Sequence, residues 1–285
     1  MPGRNPALNE TIRQSAASGR ILVMGIVNVT PDSFSDGGRF DSVEKALEHA
    51  RRLAAEGADI LDIGGESTRP GAEPVDAAAE IKRVGPVIEA VRAEIDIPIS
   101  IDTMKADVMR AAVAAGAEMI NDVNSLRDPD ALLAAVESGV PTCIMHMQGE
   151  PRTMQQQPDY DDVVEDLRLF FRERIDTCLA AGMHEHNIVL DPGFGFGKSM
   201  RHNLDLLERF GRFRELGLPL LAGISRKSML GRITGRETAP DRVAASLAAG
   251  VLVAERGADI LRVHDVAETV DSVKIIHALR ENRAG

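Results

Sequence analysis

Ala54-Ala-Glu-Gly-Ala-Asp-Ile-Leu-Asp-Ile63 returns twice in variant form, as AAGAEMINDV at 114–123 and AERGADILRV at 254–263. Each copy reads as the end of a helix, a glycine stop, and then a strand that finishes on polar residues. Outward from these three segments the same alternation fills the chain. Short apolar, β-branched runs stand at 21–27, 58–63, 97–102, 117–122, 140–145, 187–191, 218–223 and 258–263, the pattern of strands buried on both faces. Ala-rich amphipathic segments separate them, near 42–56, 75–93, 104–115, 129–138, 159–181, 201–216, 240–256 and 265–281. In the first of these, Asp41 and Glu44 resemble a capping box, Val43, Leu47, Ala50 and Ala54 share one face, and Gly57 can close the end. Eight βα units predict an α/β fold of the (β/α)8 TIM-barrel type. A doubly wound open sheet is the alternative, because strand order is not written in the sequence. No interdomain linker is visible, so residues 19–285 read as a single catalytic domain. Residues 1–18 read as a flexible polar arm without an apolar signal core.

Composition narrows the function. The net charge is −11, which excludes a diffuse basic footprint for nucleic acid. An anionic ligand must then be held by a local cluster of positive groups. Aromatic residues are only 3%, with no Trp and one Tyr, too few for a base-stacking surface. No apolar run is long enough to span a membrane. Cys143 and Cys178 form no Cys-x-x-Cys pair, so reduced thiols and a cytoplasmic location are expected. Cys143 falls inside a strand and reads as inert.

In a barrel, chemistry gathers where the strands end. Those ends carry Asn28, Asp62 to Glu66, Asp102, Asn121 and Asp122, His146, Asp191, Ser225 to Ser228, and Arg262 to Asp265. One Asp after a strand is an ordinary helix cap, whereas eight polar ends in register point to a site. The first end opens a long loop rich in oxygen ligands that also carries Phe34 and Phe40, and long loops in such units are often lids. The second, GGESTRPG at 64–71, pairs two glycines with Arg69, which can fork onto a phosphate. The sixth, DPGFGFGKS at 191–199, imitates a phosphate loop, but Pro192 stands where a Walker glycine is needed and Lys198 where a dinucleotide fold needs its third glycine. An ATPase and a Rossmann enzyme are therefore rejected. The alternating Phe and Gly shape an apolar slot with Asp191 at its mouth. Arg226, Lys227, Arg262 and His264 are the expected positive cluster. His184 and His186 fall at the opposite end of the barrel and read as surface residues.

Taken together, NVTPDSFSDGG (28–38), GGESTRPG (64–71), IDT (101–103), IND (120–122), LDPGFGFGK (190–198), GISRKSM (223–229) and LRVHD (261–265) resemble the dihydropteroate synthase family of pterin-binding enzymes. The resemblance covers about residues 20–281. It implies a transferase of folate biosynthesis that joins 6-hydroxymethyl-7,8-dihydropterin diphosphate to p-aminobenzoate, giving 7,8-dihydropteroate and diphosphate. It also implies the site. Asp102, Asn121, Met145, Asp191, Lys227 and Arg262 would bind the pterin, with Asp102, Asp191, Lys227 and Arg262 catalytic. Asn28, Arg69, Arg262 and His264 would hold the diphosphate, and Asn28 would ligate Mg2+. Phe34, Thr68, Pro70, Phe196 and Ser228 would form the p-aminobenzoate pocket. A homodimer formed through helices on one flank of the barrel is implied as well.

A dissociative path fits these groups: the C–O bond breaks first, Asp102 and Asp191 stabilise the pterin cation, and p-aminobenzoate binds second. A pterin-dependent methyltransferase acting on a corrinoid protein could share the pterin edge, but has no use for STRPG (67–71) or SRKS (225–228). A non-catalytic pterin-binding paralogue would have lost the Asn28 loop, Arg69 or Lys227, and all three are present.

Overall fold

The computed structural model describes residues 7–29, 39–67, 73–149, 153–155 and 158–284. Eight strands carry the fold: β1 (Leu22–Asn28), β2 (Ile60–Gly64), β3 (Ile99–Asp102), β4 (Met119–Asp122), β5 (Thr142–Met145), β6 (Ile188–Asp191), β7 (Leu221–Ala222) and β8 (Ile260–Val263). All pair in parallel, in the order β6-β5-β4-β3-β2-β1-β8-β7. A parallel bridge between Leu190 and Leu220 joins the two ends, so the sheet closes as a (β/α)8 barrel and the open-sheet alternative falls. All eight expected strands are present. The seventh is the shortest, because Pro219 has no N–H for a ladder; its carbonyl still accepts from Leu190 N at 2.9 Å.

Ten α-helices are found among the described residues: α1 (Leu8–Ser18), α2 (Arg39–Ala55), α3 (Ala77–Glu94), α4 (Ala106–Ala115), α5 (Pro129–Ser138), α6 (Val163–Ala180), α7 (Met200–Arg209), α8 (Ser228–Thr234), α9 (Val243–Glu255) and α10 (Val266–Ala284). Their ends follow local chemistry. Asp76, Asp128 and Asp162 each accept a backbone N–H of the first turn of α3, α5 and α6, and Pro129 opens α5 where no N–H is required. The repeat glycine has φ of 99° at Gly57, 116° at Gly116 and 103° at Gly257. All three copies therefore stop a helix in the left-handed region, which a Cβ would penalise.

Two expectations need correction. Helix α2 begins at Arg39, so Asp41 lies inside its first turn and is not the cap. Residues 8–18 form helix α1 where a loose arm was expected. Leu8 and Ile12, one helical turn apart, are buried against Leu22, Met24, Ile60 and Ile260. Only two large apolar side chains make this contact, and so thin a stripe hardly registers as amphipathic in the sequence.

The pleat divides the barrel interior into layers. Leu22, Met24, Ile60, Met119, Cys143, Val189, Leu221 and Ile260 form an apolar floor, with Leu8 and Ile12 beneath it. Two residues further along five of those strands come Asp62, Asn121, Met145, Asp191 and Arg262, and on β3 Asp102 follows Ser100 by the same step. Residues of the opposite parity, such as Leu61, Ile63, Ile99, Ile101, Ile120, Ile144 and Leu190, pack outward under the helices. A period of two thus sets a polar layer directly on an apolar one.

Candidate active site

The polar layer is tied together across the barrel. Arg262 Nε donates to Asp62 Oδ2 at 2.6 Å and Arg262 Nη2 donates to Asp102 Oδ2 at 2.6 Å. Asn121 Nδ2 donates to the same Asp62 oxygen at 3.2 Å. The strands β8 and β3 are not neighbours, so these bonds cross the interior. Asp62, Asn121 and Arg262 all stand five positions after the repeat glycine, which is why they share a level. That repeat register is the signal that could have singled out Asp62, which sequence reasoning left among the strand ends.

One oxygen on each acid, Asp62 Oδ1 and Asp102 Oδ1, is buried with no hydrogen-bond partner among the described residues. A buried unpaired acceptor is costly unless a ligand N–H reaches it. Burial, with Asp62 nearby, pushes the Asp102 carboxyl up to about 7 against the opposing pull of Arg262. Asp191, in register with Met145 across β6 and β5, is also pushed up by burial, while Gly193 N donates to its Oδ1 at 2.8 Å. Lys227, at the start of α8, is held down to about 8 by burial, with Asp191 pulling the other way. Its Nζ lies 4.1 Å from the Phe196 ring centroid, a cation–π contact. Three acids thus share two close cations.

Beyond this charged layer, Met145, Met147, Val123 and Met154 form an apolar patch with Met104 and Phe196 packed on it. The Phe-Gly segment divides its labour: Phe196 joins this slot, whereas Phe194 is fully buried in the outer core beside Phe210. Asn28 stands at the end of β1 opposite Gly64. Ser228 is exposed at the first residue of α8. Phe34, Thr68, Arg69 and Pro70 lie outside the described residues, as does the side chain of Phe40.

The positive cluster is smaller than expected. Arg226 Nε donates to Asp265 Oδ2 at 3.0 Å, and its own backbone, with φ of 56°, is fixed by a bond from its N–H to Ser246 Oγ at 2.8 Å. Arg226 therefore fastens the β7 and β8 ends to each other. Burial, then Arg262 and Arg226, push His264 down to about 3, and its Nδ1 is 3.1 Å from Ser225 Oγ. It serves as a neutral hydrogen-bonding group, with Lys227 and Arg262 as the cations. Cys143 is fully buried and its thiol is pushed up; His184 and His186 are exposed and stacked on each other. Among the described residues no three His, Cys, Asp or Glu side chains converge to hold a metal, and no helix is long and apolar enough to cross a membrane.

Known proteins similar in sequence and fold agree on its class. Residues 24–264 match the family model described as pterin binding enzyme. The dihydropteroate synthase of Escherichia coli strain K12 is 50% identical over 256 residues, 90% of either chain. The Xanthomonas albilineans dihydropteroate synthase solved with 4-aminobenzoic acid superposes with a TM-score of 0.87 at 55% identity, covering 92% of this chain and 93% of that one. The same enzyme in complex with 7,8-dihydropteroate superposes with a TM-score of 0.84 at 52% identity, covering 92% and 94%.

Proposed function

The chain belongs to the pterin binding enzyme family, and from that premise we propose how its residues perform the dihydropteroate synthase reaction of folate biosynthesis. It is a transferase: the aniline nitrogen of p-aminobenzoate attacks the pterin methylene carbon, a C–N bond forms, the C–O bond to diphosphate breaks, and one proton leaves the nitrogen. The observation that carries the assignment of residues is the pair of orphaned oxygens, Asp62 Oδ1 and Asp102 Oδ1, in one buried layer with Asp191 and Asn121. A dihydropterin offers a row of N–H donors beside a carbonyl, which matches acceptors on Asp102, Asn121 and Asp191 and a donor on Lys227.

The ring's N–H edge takes the free Asp102 Oδ1, and Arg262 exchanges its bond to Oδ2 for the ring face and the diphosphate. Asp102 and Asp191 then face the positive charge that builds on the ring as the C–O bond lengthens, and being already in place they stabilise it without reorganisation. His264, neutral and tethered through Nδ1 to Ser225, presents its other ring nitrogen to the departing diphosphate, together with Arg69. Phe196, with Phe34, Thr68 and Pro70, receives the aromatic ring of p-aminobenzoate, and Ser228 at the rim receives its carboxylate.

Asn28 supplies one hard oxygen donor at the end of β1, which suits Mg2+, an ion that takes few protein ligands and prefers phosphate and water oxygens for the rest. Bound there, Mg2+ would neutralise charge on the diphosphate and improve it as a leaving group. The two cysteines are free and buried, in keeping with a cytoplasmic home. Leu252 on α9 and Ile275 and Leu279 on α10 are large apolar side chains left exposed, and we place the contact of a homodimer there.

The test is release of diphosphate from dihydropterin diphosphate in the presence of p-aminobenzoate and Mg2+. Turnover that requires both substrates, and that falls by orders of magnitude in Asp191→Ala, is the expected result. Full activity in that variant would remove the site assignment.

A further inference from the structure

Lys198 closes the segment that imitates a phosphate loop, and the reaction outlined above makes no use of it. It is only 2% exposed, and no ion pair holds it among the described residues. Its Nζ lies 2.9 Å from Gly193 O, 3.0 Å from Phe196 O, 3.3 Å from His146 O and 3.0 Å from His146 Nδ1. Carbonyl oxygens can only accept, so three of them converging on one nitrogen require a donor at their centre. The loop from Pro192 is thus wrapped around the amino group of its own last residue, which burial pushes well below the usual lysine range. Tyr160, the only tyrosine of the chain, donates to Gly197 O at 2.8 Å, and Asn203 Oδ1 accepts from Gly195 N at 2.7 Å. The wrapping is close: a Cβ at Gly197 would stand 2.4 Å from Gln148 O.

The two ends of this loop are working parts. Asp191 accepts from Gly193 N, and Phe196 carries Lys227 on its ring face. We propose that Lys198 is a positioning residue: its buried amino group folds residues 192–198 and thereby fixes the Phe196 ring, setting affinity at the p-aminobenzoate end of the site. The proposal rests on the reaction assigned above. It predicts a selective effect, because Asp102, Asn121, Met145, Asp191 and Arg262 stand on strands and Lys227 at the start of α8, all outside residues 192–198.

The test is Lys198→Met, which keeps much of the side chain's bulk and removes the N–H donors. The KM for p-aminobenzoate is expected to rise about tenfold or more, the scale of a small misplacement of a binding group. Calorimetric affinity for a pterin without its diphosphate should change less than about threefold. Amides of 193–198 should exchange faster with deuterium, a readout independent of turnover. In a Phe196→Ala background the further rise in KM should shrink to less than about twofold, since the two residues act through one element.

An unchanged KM with unchanged amide exchange overturns the proposal, and so does an equal loss of pterin and p-aminobenzoate affinity. If Lys198→Met does not fold, Tyr160→Phe, which removes only the hydroxyl on Gly197, is expected to raise the same KM about twofold to threefold, and an unchanged value counts against the role. Should the wild-type enzyme fail to release diphosphate with both substrates, the assigned reaction is what fails. Amide exchange then still shows whether Lys198 folds the loop.

Discussion

Arg262 on β8 and Asp102 on β3, 160 residues apart, bond across the barrel mouth at 2.6 Å. The guanidinium takes Asp102 Oδ2 and leaves Oδ1 open to an incoming N–H donor. On the assignment proposed above, pterin binding fills Oδ1 and draws Arg262 off Oδ2, so the donors on Asp102 change when the ring arrives.

Asp102→Asn tests that exchange. The amide can no longer accept two N–H donors as an anion, nor face a developing cation with negative charge. We expect kcat/KM to fall about 100-fold to 1,000-fold, the loss typical of one preorganised electrostatic group. Initial rates of diphosphate release measure it.

The pH profile follows from the same layer. Asp102 is pushed up to about 7 and Lys227 is held down to about 8. Activity needs the carboxylate and the ammonium together, so kcat/KM should rise as pH climbs past about 7 and decline above about 8, a narrow bell belonging to the coupled cluster. The sign for stability is opposite to that of an ordinary salt-bridged acid. The folded chain holds the Asp102 proton more tightly than the unfolded chain. That contribution is present at low pH and is lost as pH rises through about 7. Removing the charge in Lys227→Met should abolish the alkaline limb and reduce turnover by orders of magnitude.

Asp62 should behave as a structural partner of the site. It is fully buried and accepts from both Arg262 and Asn121. Asp62→Asn leaves the Arg262 charge with less compensation, and breaking a buried pair in this way costs about 3–5 kcal/mol. Urea unfolding should show the loss, together with weaker pterin binding by calorimetry.

Helix α1 seals the barrel floor through Leu8 and Ile12. Ile12→Ala should destabilise the fold by about 2–5 kcal/mol, the range for a large buried aliphatic side chain. Because the floor lies beneath the polar layer, KM values should stay near wild type. A shift in the urea midpoint with unchanged kinetics is the expected result.

Much of this was readable beforehand. All eight strands, the glycine stops and nearly every polar strand end could be placed from spacing alone, since a pleat of two and a helical turn of 3.6 act between near neighbours. Helix α8 is not legible in the sequence because its seven residues carry little periodicity. The start of α2 departs from the capping pattern at Asp41 because such a pattern is only a few residues long. In the sequence Lys198 reads as a broken motif, and nothing near it announces that three carbonyls, one of them from His146, will turn toward it.

The sequence by itself determined which side chains stand at the mouth of the barrel, through a repeat that sets Asp62, Asn121 and Arg262 at one level. Tertiary structure alone decided which of them pair: Arg262 with Asp62 and Asp102, Arg226 with Asp265, His264 kept neutral beside Ser225. The reason is range. Local periodicity is settled over a few residues, whereas partners 39 to 200 positions apart meet only when eight strands close into a ring, and their charge states follow from the water that closure removes.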